Sequence, residues 1–571
     1  STYQLMNQDY LTDKVGPTIS ATVVGANNSN VVVTFSDPVF NSNSGSGTLE
    51  TSDFSFSLSG GTATGAAVGS ISVSGISVTL GITLTGIANG GETITVTPAA
   101  NSVFDMSGNA ASTSQSNNTA TLKDGRVLVI NGLYHHGGQG IENRIVRMNK
   151  DRYLLAYKNY GYLTTFTISE DGSTITEVVN LYHATSTVYQ QDLLQINSDT
   201  YILAYGGYDA QTGWGQHIKT FKVKPDGTSI VEIGDLVHDT YYSVDNQVSM
   251  VRVDHDTYAI AYYGYNQPTD NSWGGYIKTF TVNGGTITEV AKLKHFTSNV
   301  YDNSFIKVDE NTFALAWSDN YADGLITTFT IPADGSTITE VAELEHDTDY
   351  GRYPSFEQLD SDTYVLAYQG TSNDGFIKTF TIAADGATIT QVASLEHDES
   401  LAYWNSLIKT NVNTFLLAYA GDGDVGYAKT FTIPADGSSI TQVANVEHDL
   451  NQSLYNDLAQ IDGDSYVLAM KSTHTHTGAS SNGAYVRTLD TPTLATATVP
   501  RISSVALAAD NSTVAVKFNE AVYNANGGSG ALEAGDFALS ISGGTATLTN
   551  GNDSAPTSIS ASGNTYTLGI G

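Results

Sequence analysis

Histidine recurs at one position of a long repeat. Seven of the 12 histidines lie 48 to 57 residues apart, and four of these are followed directly by Asp. The seven are His135, His183, His238, His295, His346, His397 and His448. A His–Asp pair suits metal binding or proton transfer. Catalysis needs one asymmetric site, however, whereas a residue present in every repeat is needed by every repeat. We therefore interpret these histidines as structural, with a ring of weak metal or ligand sites as the alternative.

Amide and aromatic side chains form a second set. Eight residues after a histidine the sequence has Asn143, Asn246, Asn303, Asn405 and Asn456, with Gln191 and Pro354 as exceptions. The aromatic residues Tyr189, Tyr301, Tyr403 and Trp404 lie beside this position, and Trp214 and Trp273 lie in two insertions. Aromatic faces stack on sugar rings and amides bind hydroxyls, so the set predicts ligand binding at the mouth of a channel. The alternative is that Asn caps turns and Tyr packs between repeats.

A repeat of about 50 residues must position these side chains. Its first β-type run, as in TYVLAY, occurs seven times, with central alanines Ala156, Ala204, Ala261, Ala316, Ala367, Ala418 and Ala469. Each copy contains four such runs, and most copies have Asp-Gly between the third and the fourth, which is typical of a tight hairpin. Four strands per unit and seven units predict an all-β, seven-bladed β-propeller over residues 123–492.

The two ends of the repeat region predict how the ring closes. One fourth-strand run, VLVINGLYHH, precedes the first copy, whereas the seventh copy lacks its fourth run. Joining them completes the seventh blade and leaves no open sheet edge. We therefore expect residues 127–133 to pair beside residues 485–489.

The flanks of the repeat region resemble each other. Residues 15–122 are rich in Ser, Thr, Gly and Val with alternating apolar positions, as in NVVVTF, and predict an Ig-like β-sandwich. Residues 501–571 repeat this pattern but stop before the last strands, so we expect a partial sandwich in a piece of a longer chain. Residues 1–14 and 493–500 are interpreted as linkers.

The flanks also carry a family phrase, F-x-[DE]-x-V. It reads Phe35, Asp37 and Val39 in the first flank, and Phe518, Glu520 and Val522 in the second. Through this phrase and the closing FDMSGN, both flanks resemble the SbsA-like group of bacterial immunoglobulin-like domains. The resemblance implies an extracellular, cell-surface location, as in S-layer proteins and adhesins.

Composition excludes several classes of function. The chain has 571 residues, no Cys, 14% charged residues and a formal net charge of −34. An acidic chain repels a phosphate backbone, which excludes nucleic acid as a partner. The lack of Cys excludes disulfides, thiolate metal sites and cysteine nucleophiles. No apolar run approaches the roughly 20 residues of a membrane-spanning helix, so no membrane insertion is expected.

Calcium is the predicted cofactor, because oxygen-only ligation suits an acidic chain without Cys. The candidate ligands are carboxylates that recur in the two flanks, together with one near the end of the first flank. They are Asp37, Glu50, Asp53, Asp105, Glu520, Glu533 and Asp536. The alternative is that these are turn and surface carboxylates.

Three functions remain open from the residues alone. The first is a non-enzymatic structural or adhesive segment of a surface or filament-forming protein, in which sandwiches form a stalk and the propeller contacts itself or other surface proteins. The second is a carbohydrate-binding propeller. The third is a polysaccharide-degrading enzyme with one acidic cleft among the irregular second and third repeats, where Trp214 and Trp273 lie near Asp209 and Asp270. Because polar features recur in every repeat and no nucleophile constellation is found, the first is the prediction.

Overall fold

The structure is a computed structural model, and two compact units, Ser1–Leu494 and Ala495–Gly571, are described in turn. It describes residues 13–25, 28–123, 125–137, 140–158, 161–184, 186, 188–209, 213–240, 248–265, 272–476, 479–491, 502–508, 511–518, 522, 532–537, 539, 555–562 and 565–570. These residues form antiparallel sheets and four three-residue 3-10 helices, Thr51–Asp53, Thr371–Asn373, Asp422–Asp424 and Ala534–Asp536. The predicted all-β class is confirmed. None of their helices is long and apolar enough to span a membrane.

The first unit begins with two small sheets. Their strands are β1 (Ile19–Val24), β2 (Asn30–Phe35), β3 (Phe54–Ser59), β4 (Gly65–Ser74), β5 (Ser77–Thr85), β6 (Thr93–Pro98) and β7 (Thr119–Thr121). The sheets have the orders β1-β2-β5-β4 and β3-β6-β7. Alternate residues of β2, Val31, Val33 and Phe35, are at most 1% exposed and pack in one core with residues of both sheets. The alternating apolar residues in this part of the sequence therefore correspond to the buried face of a sheet.

Seven four-stranded sheets follow, and strand β8 (Leu128–Gly137) precedes them. Sheets one to three are β9 (Arg144–Arg147), β10 (Arg152–Tyr157), β11 (Tyr162–Ile168), β12 (Ile175–Tyr182); β13 (Val188–Asn197), β14 (Thr200–Asp209), β15 (Gly213–Val223), β16 (Ile230–Asp239); and β17 (Ser249–Arg252), β18 (Thr257–Tyr265), β19 (Trp273–Asn283), β20 (Thr286–Phe296). Sheets four and five are β21 (Tyr301–Lys307), β22 (Thr312–Ser318), β23 (Gly324–Thr330), β24 (Thr339–Asp347); and β25 (Arg352–Gln358), β26 (Thr363–Gln369), β27 (Gly375–Ile382), β28 (Ile389–Asp398). Sheets six and seven are β29 (Tyr403–Asn411), β30 (Thr414–Ala420), β31 (Gly426–Thr432), β32 (Thr441–Asp449); and β33 (Leu454–Asp462), β34 (Ser465–His476), β35 (Ala479–Asp490), completed by β8.

The sheets close into a β-propeller-like ring. The first strands of consecutive sheets contact each other, and β33 of sheet seven contacts β9 of sheet one. Strand β8 pairs antiparallel with β35, with Leu133 opposite Val486 and Val129 opposite Leu489. The predicted pairing of the two ends of the repeat region is therefore confirmed. A side-chain bond crosses the same junction, since the Thr488 hydroxyl donates to the Gly172 carbonyl oxygen at 2.7 Å.

The Asp-Gly turns of sheets one, two, four, five and six each hold their sheet to the one before it in the ring. Gly335 has φ +65°, and a Cβ there would lie 2.9 Å from Thr257 Cγ2 and 3.1 Å from Thr279 Cβ. The Thr279 hydroxyl donates to the Gly335 carbonyl oxygen at 2.7 Å. Glycine is needed there for both the left-handed backbone and the close approach. The same contact joins Thr165 to Gly227, Thr328 to Gly386 and Thr379 to Gly437.

The repeated histidines lie between neighbouring sheets. His346, at the end of sheet four, packs edge-on against Tyr368 of sheet five, with ring centroids 4.7 Å apart, and against Phe380 at 6.1 Å. His135, His183, His238, His295 and His397 make equivalent contacts with the next sheet. A Cβ at Gly324 would lie 2.5 Å from the His346 ring, so glycine gives the histidine its space. These rings therefore fill the space between sheets.

Burial keeps these histidines neutral. It lowers the pKa of His135, His295, His346, His397 and His448 from 6.5 to about 3. Among the residues that the structure covers, neither ring nitrogen of His346 has a hydrogen-bond partner. A charge there would be unpaired and desolvated.

The described residues of the second unit form a four-stranded sheet. Its strands are β36 (Ile502–Leu507), β37 (Thr513–Phe518), β38 (Ile559–Ser562) and β39 (Thr565–Gly569), in the order β36-β37-β39-β38. This order matches that of β1-β2-β5-β4. A local detail is also shared, because Asp536 accepts from the Glu533 N–H at 2.7 Å as Asp53 accepts from the Glu50 N–H at 2.7 Å. The internal sequence repeat thus corresponds to a repeated local structure.

We expect the ring to lose stability steeply in acid. A histidine with a folded pKa of about 3 and an unfolded pKa of 6.5 contributes stability above pH 6.5 that is lost as the pH falls towards 3. The loss is about 1.4 kcal/mol per pH unit for each such histidine. Urea unfolding measures the free energy of unfolding at pH 7 and pH 5. In His346→Phe this free energy should fall less between the two pH values than in wild type, because the variant takes up about one proton fewer on unfolding. The same change at His255, whose side chain is 78% exposed, serves as the control. Equal slopes in wild type and His346→Phe would contradict this account.

Candidate active site at the inner edge of the ring

One position in the first strand of each sheet binds the next sheet. Ser355 accepts a hydrogen bond from the Leu407 N–H at 2.9 Å, and Ser406 accepts from the Leu458 N–H at 3.0 Å. Ser249 and Ser304 act in the same way on Phe305 and Phe356, at 3.0 and 3.2 Å. Each of these residues pairs with the central alanine of its repeat. We call this position, at Arg144, Asp192, Ser249, Ser304, Ser355, Ser406 and Asp457, the acceptor ring.

Three neighbouring members of the acceptor ring are charged. Asp457 accepts from the Ile145 N–H at 2.5 Å, and Asp192 accepts from the Met250 N–H at 2.6 Å, so both carboxylates replace the serine hydroxyl. Arg144 has no acceptor to offer, and Asp192 therefore also accepts from its own neighbour, the Leu193 N–H, at 3.0 Å. The Arg144 Nε lies 3.5 Å from Asp192 Oδ1. The sevenfold pattern is thus interrupted by one guanidinium between two carboxylates.

Burial shifts the protonation of both carboxylates. It raises the pKa of Asp457 to about 6, against the opposing effects of Arg144 and the Ile145 N–H, and the charge of Asp192 adds to the rise. Burial also raises the pKa of Asp192, although Arg144 and the two N–H donors oppose it. Asp457 is therefore largely ionised at pH 7 and can still take up a proton just below it.

The residue two places before the acceptor ring has a left-handed backbone. Its φ lies between 52° and 56° at Glu142, Gln190, Asp302, Tyr353, Trp404 and Tyr455. Such a backbone is strained for a bulky side chain and persists where the surrounding structure holds it, often at functional sites. All six residues line one cavity of about 720 Å³ together with the acceptor ring. We call the end of the cavity where these six left-handed residues lie the mouth.

One side of the mouth is aromatic. Trp404 and Tyr455 have ring centroids 3.8 Å apart, and Tyr353 lies 4.6 Å from Trp404 and 5.9 Å from Tyr403. The Arg352 guanidinium lies over the Tyr301 ring at 4.4 Å and forms an ion pair with Asp302. We call these aromatic residues, Tyr301, Tyr353, Tyr403, Trp404 and Tyr455, the aromatic arc.

The other side of the mouth is charged. Glu142 accepts from the Gln190 N–H and lies 3.6 Å from the Lys158 ammonium, which in turn lies 3.8 Å above the Tyr189 ring. Burial raises the pKa of Glu142 to about 7, although Lys158 opposes the shift. The charged residues belong to sheets one, two and seven, and the aromatic arc belongs to sheets four to seven.

A single carboxyl group interrupts an apolar part of the cavity. Glu357 lies two residues after Ser355, where the other sheets have Val146, Leu194, Val251, Ile306, Ile408 and Ala459. Burial raises the pKa of Glu357 to about 7, although Lys409 opposes the shift. Among the described residues, no hydrogen bond to the Glu357 carboxyl is found. Glu357 can therefore donate or accept a proton near neutral pH.

The predicted amides are used within the ring. The Asn143 amide donates to the Tyr455 carbonyl oxygen at 3.0 Å, and Asn405 and Asn456 donate to the Tyr353 and Trp404 carbonyl oxygens at 3.2 Å each. These bonds hold the backbone of the left-handed residues in the preceding sheet. Asn303 is buried in the cavity wall. Asn246, Asp270 and Glu520 lie outside the described residues.

The predicted aromatic ligands lie in two places. Tyr301 and Trp404 line the cavity, Tyr403 contacts both Tyr353 and Trp404, and Tyr189 lies beneath Lys158. Trp214 and Trp273 lie instead on the hairpins of sheets two and three, where they pack against tyrosines of their own hairpins.

The predicted calcium ligands serve as turn acceptors. Asp53 accepts from the Glu50 N–H, Asp105 from the Asn109 N–H and side-chain amide, and Asp37 from the Ser36 hydroxyl. Over the described part of the chain, no three His, Asp or Glu side chains come together as a metal site. Calcium binding at these residues stays a prediction.

Sequence reasoning missed the acceptor ring and Glu357. The signal was present, because the acceptor ring lies 12 residues before each central alanine and reads Arg, Asp, Ser, Ser, Ser, Ser, Asp. Ten residues before each alanine the sequence is apolar except at Glu357. Aligning the repeats by the alanine, rather than by the histidine, would have separated the recurring residues from the exceptions.

No protein-family model and no curated protein matches the chain. Solved structures do, with low similarity. A periplasmic gluconolactonase of Pseudomonas aeruginosa is 9% identical, with a TM-score of 0.40, covering 64% of this chain and 94% of its own. A 6-phosphogluconolactonase-like protein of Bacteroides fragilis is 13% identical, with a TM-score of 0.36 and coverages of 63% and 92%. A GH93 α-L-arabinofuranosidase of Fusarium graminearum, in complex with arabinobiose, is 10% identical, with a TM-score of 0.35 and coverages of 61% and 92%.

These comparisons contradict one prediction. The non-enzymatic structural or adhesive segment was predicted because polar features recur in every repeat, but these three similar structures bear the names of enzymes. The prediction that the chain is not an enzyme was wrong for the same reason. At these identities the substrates of those enzymes are not carried over to this chain.

We expect the acceptor ring to stabilise the closed circle. Ser355→Ala should lower the free energy of unfolding by about 1–3 kcal/mol, because the Leu407 N–H would lose its acceptor in a buried position. Chemical denaturation measures the change. Ser361→Ala, at an exposed serine of the same sheet, is the control. Equal stability of the two variants would show that the bond contributes nothing.

Proposed function

We propose that the protein is a glycoside hydrolase that acts on a neutral saccharide at the inner edge of the ring. In this proposal the ring is a seven-bladed β-propeller flanked by Ig-like domains of the SbsA-like group, and the protein acts outside the cell. The observation that carries the proposal is the charged interruption of the acceptor ring. Asp457, Arg144 and Asp192 share one cavity with Glu357, a lone protonatable carboxyl group on an otherwise apolar wall.

Two carboxyl groups with different protonation are what glycoside hydrolysis requires. Glu357, with a pKa of about 7, is the general acid and donates its proton to the oxygen of the leaving sugar. Asp457, with a lower pKa of about 6, receives the proton of the attacking water. The glycosidic C–O bond breaks, the water oxygen bonds to the sugar carbon, and the two protons end on the leaving oxygen and on Asp457.

Arg144 and Asp192 position Asp457 for this task. The Ile145 N–H occupies one oxygen of Asp457, and in the described residues the other oxygen accepts no hydrogen bond. The positive charge of Arg144 favours the ionised form of Asp457, whereas Asp192 raises its proton affinity. Burial is the largest effect and raises the pKa of Asp457, and together with these two charges it places that pKa at about 6, where an ionised carboxylate is both available and basic.

The aromatic arc supports a neutral sugar as the substrate. The rings of Tyr353, Trp404 and Tyr455 present apolar faces that can stack on a pyranose or furanose ring. The Arg352 guanidinium beside these rings is paired with Asp302, and Lys158 on the other side of the mouth is paired with Glu142. A net charge of −34 further disfavours an anionic substrate.

We expect substitution of either carboxyl group to abolish hydrolysis. Glu357→Gln and Asp457→Asn should each lower kcat by about 10²–10⁴-fold on aryl glycosides and neutral oligosaccharides, because each removes one proton transfer. Reducing-sugar release measures the rate. Glu310→Gln, at an exposed glutamate, is the matched control. Full activity in both cavity variants would exclude this site, and saccharide binding without any hydrolysis by the wild type would make the protein a lectin.

We expect a narrow pH optimum between about 6 and 7. Activity should fall below pH 6, where Asp457 becomes protonated, and above pH 7, where Glu357 ionises. The pH dependence of the stability of Glu357→Gln tests the raised pKa of Glu357 independently of activity. A carboxyl group whose folded pKa is raised from 4.5 to about 7 loses its stabilising effect as the pH rises through 7, so the variant should be more stable than wild type above pH 7, by about 1–3 kcal/mol. A flat pH–rate profile from pH 5 to 8 would contradict the two assignments.

A further inference from the structure

The hairpins around the mouth have different heights. The start of each first strand pairs with the end of the second strand, so the hairpin joining the second and third strands rises at the mouth. In sheets four, five and six this hairpin ends two residues beyond the central alanine, at Ser318, Gln369 and Ala420. In sheet three it continues to the pair Tyr265–Trp273, four residues beyond Ala261, which is two residues or about 7 Å higher than in sheets four to six at 3.3 Å per residue. In sheets two and seven it continues to Asp209 and His476.

The mouth is therefore bordered by tall hairpins at three sheets and by low hairpins at the others, including sheet one, whose last pair, Tyr157–Tyr162, lies one residue beyond Ala156. The tall hairpins belong to sheets seven, two and three, and they flank sheet one, which holds Arg144. The low rim lies over sheets four to six, which provide most of the aromatic arc. An elongated ligand can enter over the low rim, whereas the hairpins of sheets seven and two flank the charged residues.

Trp273 is joined to the aromatic arc by direct contacts. It stacks on Tyr263, with ring centroids 5.2 Å apart and an interplanar angle of 21°. The Tyr263 hydroxyl donates to Asn299, whose amide donates to the Tyr301 hydroxyl at 3.1 Å. Tyr301 in turn carries the Arg352 guanidinium, which also lies 5.4 Å from the Tyr353 ring. The aromatic surface thus extends from the cavity to an indole that is 39% exposed on the rim.

We infer that Trp273 forms an outer sugar subsite and that the substrate is a neutral oligosaccharide or polysaccharide longer than the cavity. The inference rests on the proposed function, since it assigns the same site a chain-like substrate. One sugar unit occupies the cavity beside Glu357 and Asp457. Further units follow the aromatic arc over Tyr301 to the indole of Trp273.

The chemistry of this path fits a sugar chain. It alternates ring faces with hydroxyl and amide groups, in the order Trp273, Tyr263, Asn299, Tyr301. Ring faces stack on the apolar faces of sugars, and the polar groups between them can exchange hydrogen bonds with sugar hydroxyls. Arg352, the cation that lies over Tyr301, is balanced by Asp302 and does not call for an anionic chain.

Binding can be separated from hydrolysis. Glu357→Gln leaves the rest of the cavity wall intact and should bind a saccharide without turnover. Calorimetry measures its affinity for a panel of neutral gluco-, xylo-, manno- and arabino-oligosaccharides. Each series is represented by a disaccharide and a hexasaccharide. Adding Trp273→Ala should weaken hexasaccharide binding by about 5- to 20-fold and leave disaccharide binding unchanged. Trp214→Ala is the matched control, because this indole is 46% exposed on the neighbouring hairpin. It should change neither affinity.

The outcomes distinguish the two proposals. Equal loss of disaccharide and hexasaccharide affinity in Trp273→Ala would overturn the outer subsite and leave hydrolysis at Glu357 intact. The same conclusion follows if Trp214→Ala and Trp273→Ala have equal effects, or if no hexasaccharide binds better than its disaccharide. Failure of wild type to cleave any member of the panel, with a hexasaccharide preference that depends on Trp273, would overturn the hydrolase proposal and leave the subsite standing.

Discussion

Each sheet of the ring buries both faces of its second strand, and this burial is the constraint on which the rest depends. Residues 364–368, Tyr-Val-Leu-Ala-Tyr, are all 0% exposed, and the equivalent runs of the other sheets are buried in the same way. A strand buried on two faces needs a neighbour on each side. Each of the seven sheets has a neighbour on both faces only when they form a closed circle, and the pairing of β8 with β35 closes this circle.

The same contacts between sheets create the candidate site. Where Ser249, Ser304, Ser355 and Ser406 accept a backbone N–H of the next sheet, the acceptor ring carries no charge. Sheets seven and two satisfy the same need with Asp457 and Asp192, whereas Arg144 of sheet one forms an ion pair with Asp192 instead. Two carboxylates and a guanidinium are thereby held at the cavity by bonds that also hold the ring together. Chemistry and closure share one set of residues, so the site is rigid because the fold is.

Burial sets the protonation of the charged groups. The cavity raises the pKa of Glu357 and Glu142 to about 7 and that of Asp457 to about 6, because few polar groups replace the water that the carboxylates lose. Six of the seven repeat histidines, all except His183, respond to the same burial in the opposite direction and stay neutral, because burial lowers their pKa. One physical effect therefore makes the carboxyl groups reactive near neutral pH and keeps the histidines as packing residues.

The repeat by itself determined the all-β class, the four-strand units and the pairing that closes the circle, because apolar period, Asp-Gly turns and the misplaced first run are local features of the chain. The repeat did not predict which residues form the candidate site. The histidines attracted attention because they recur, whereas the candidate site lies at Arg144, Asp192, Glu357 and Asp457, where recurrence fails. These four residues are up to 313 positions apart in the chain. Only the tertiary structure brings them to one cavity, because their distance depends on how far each sheet is rotated around the ring, which no local pattern records.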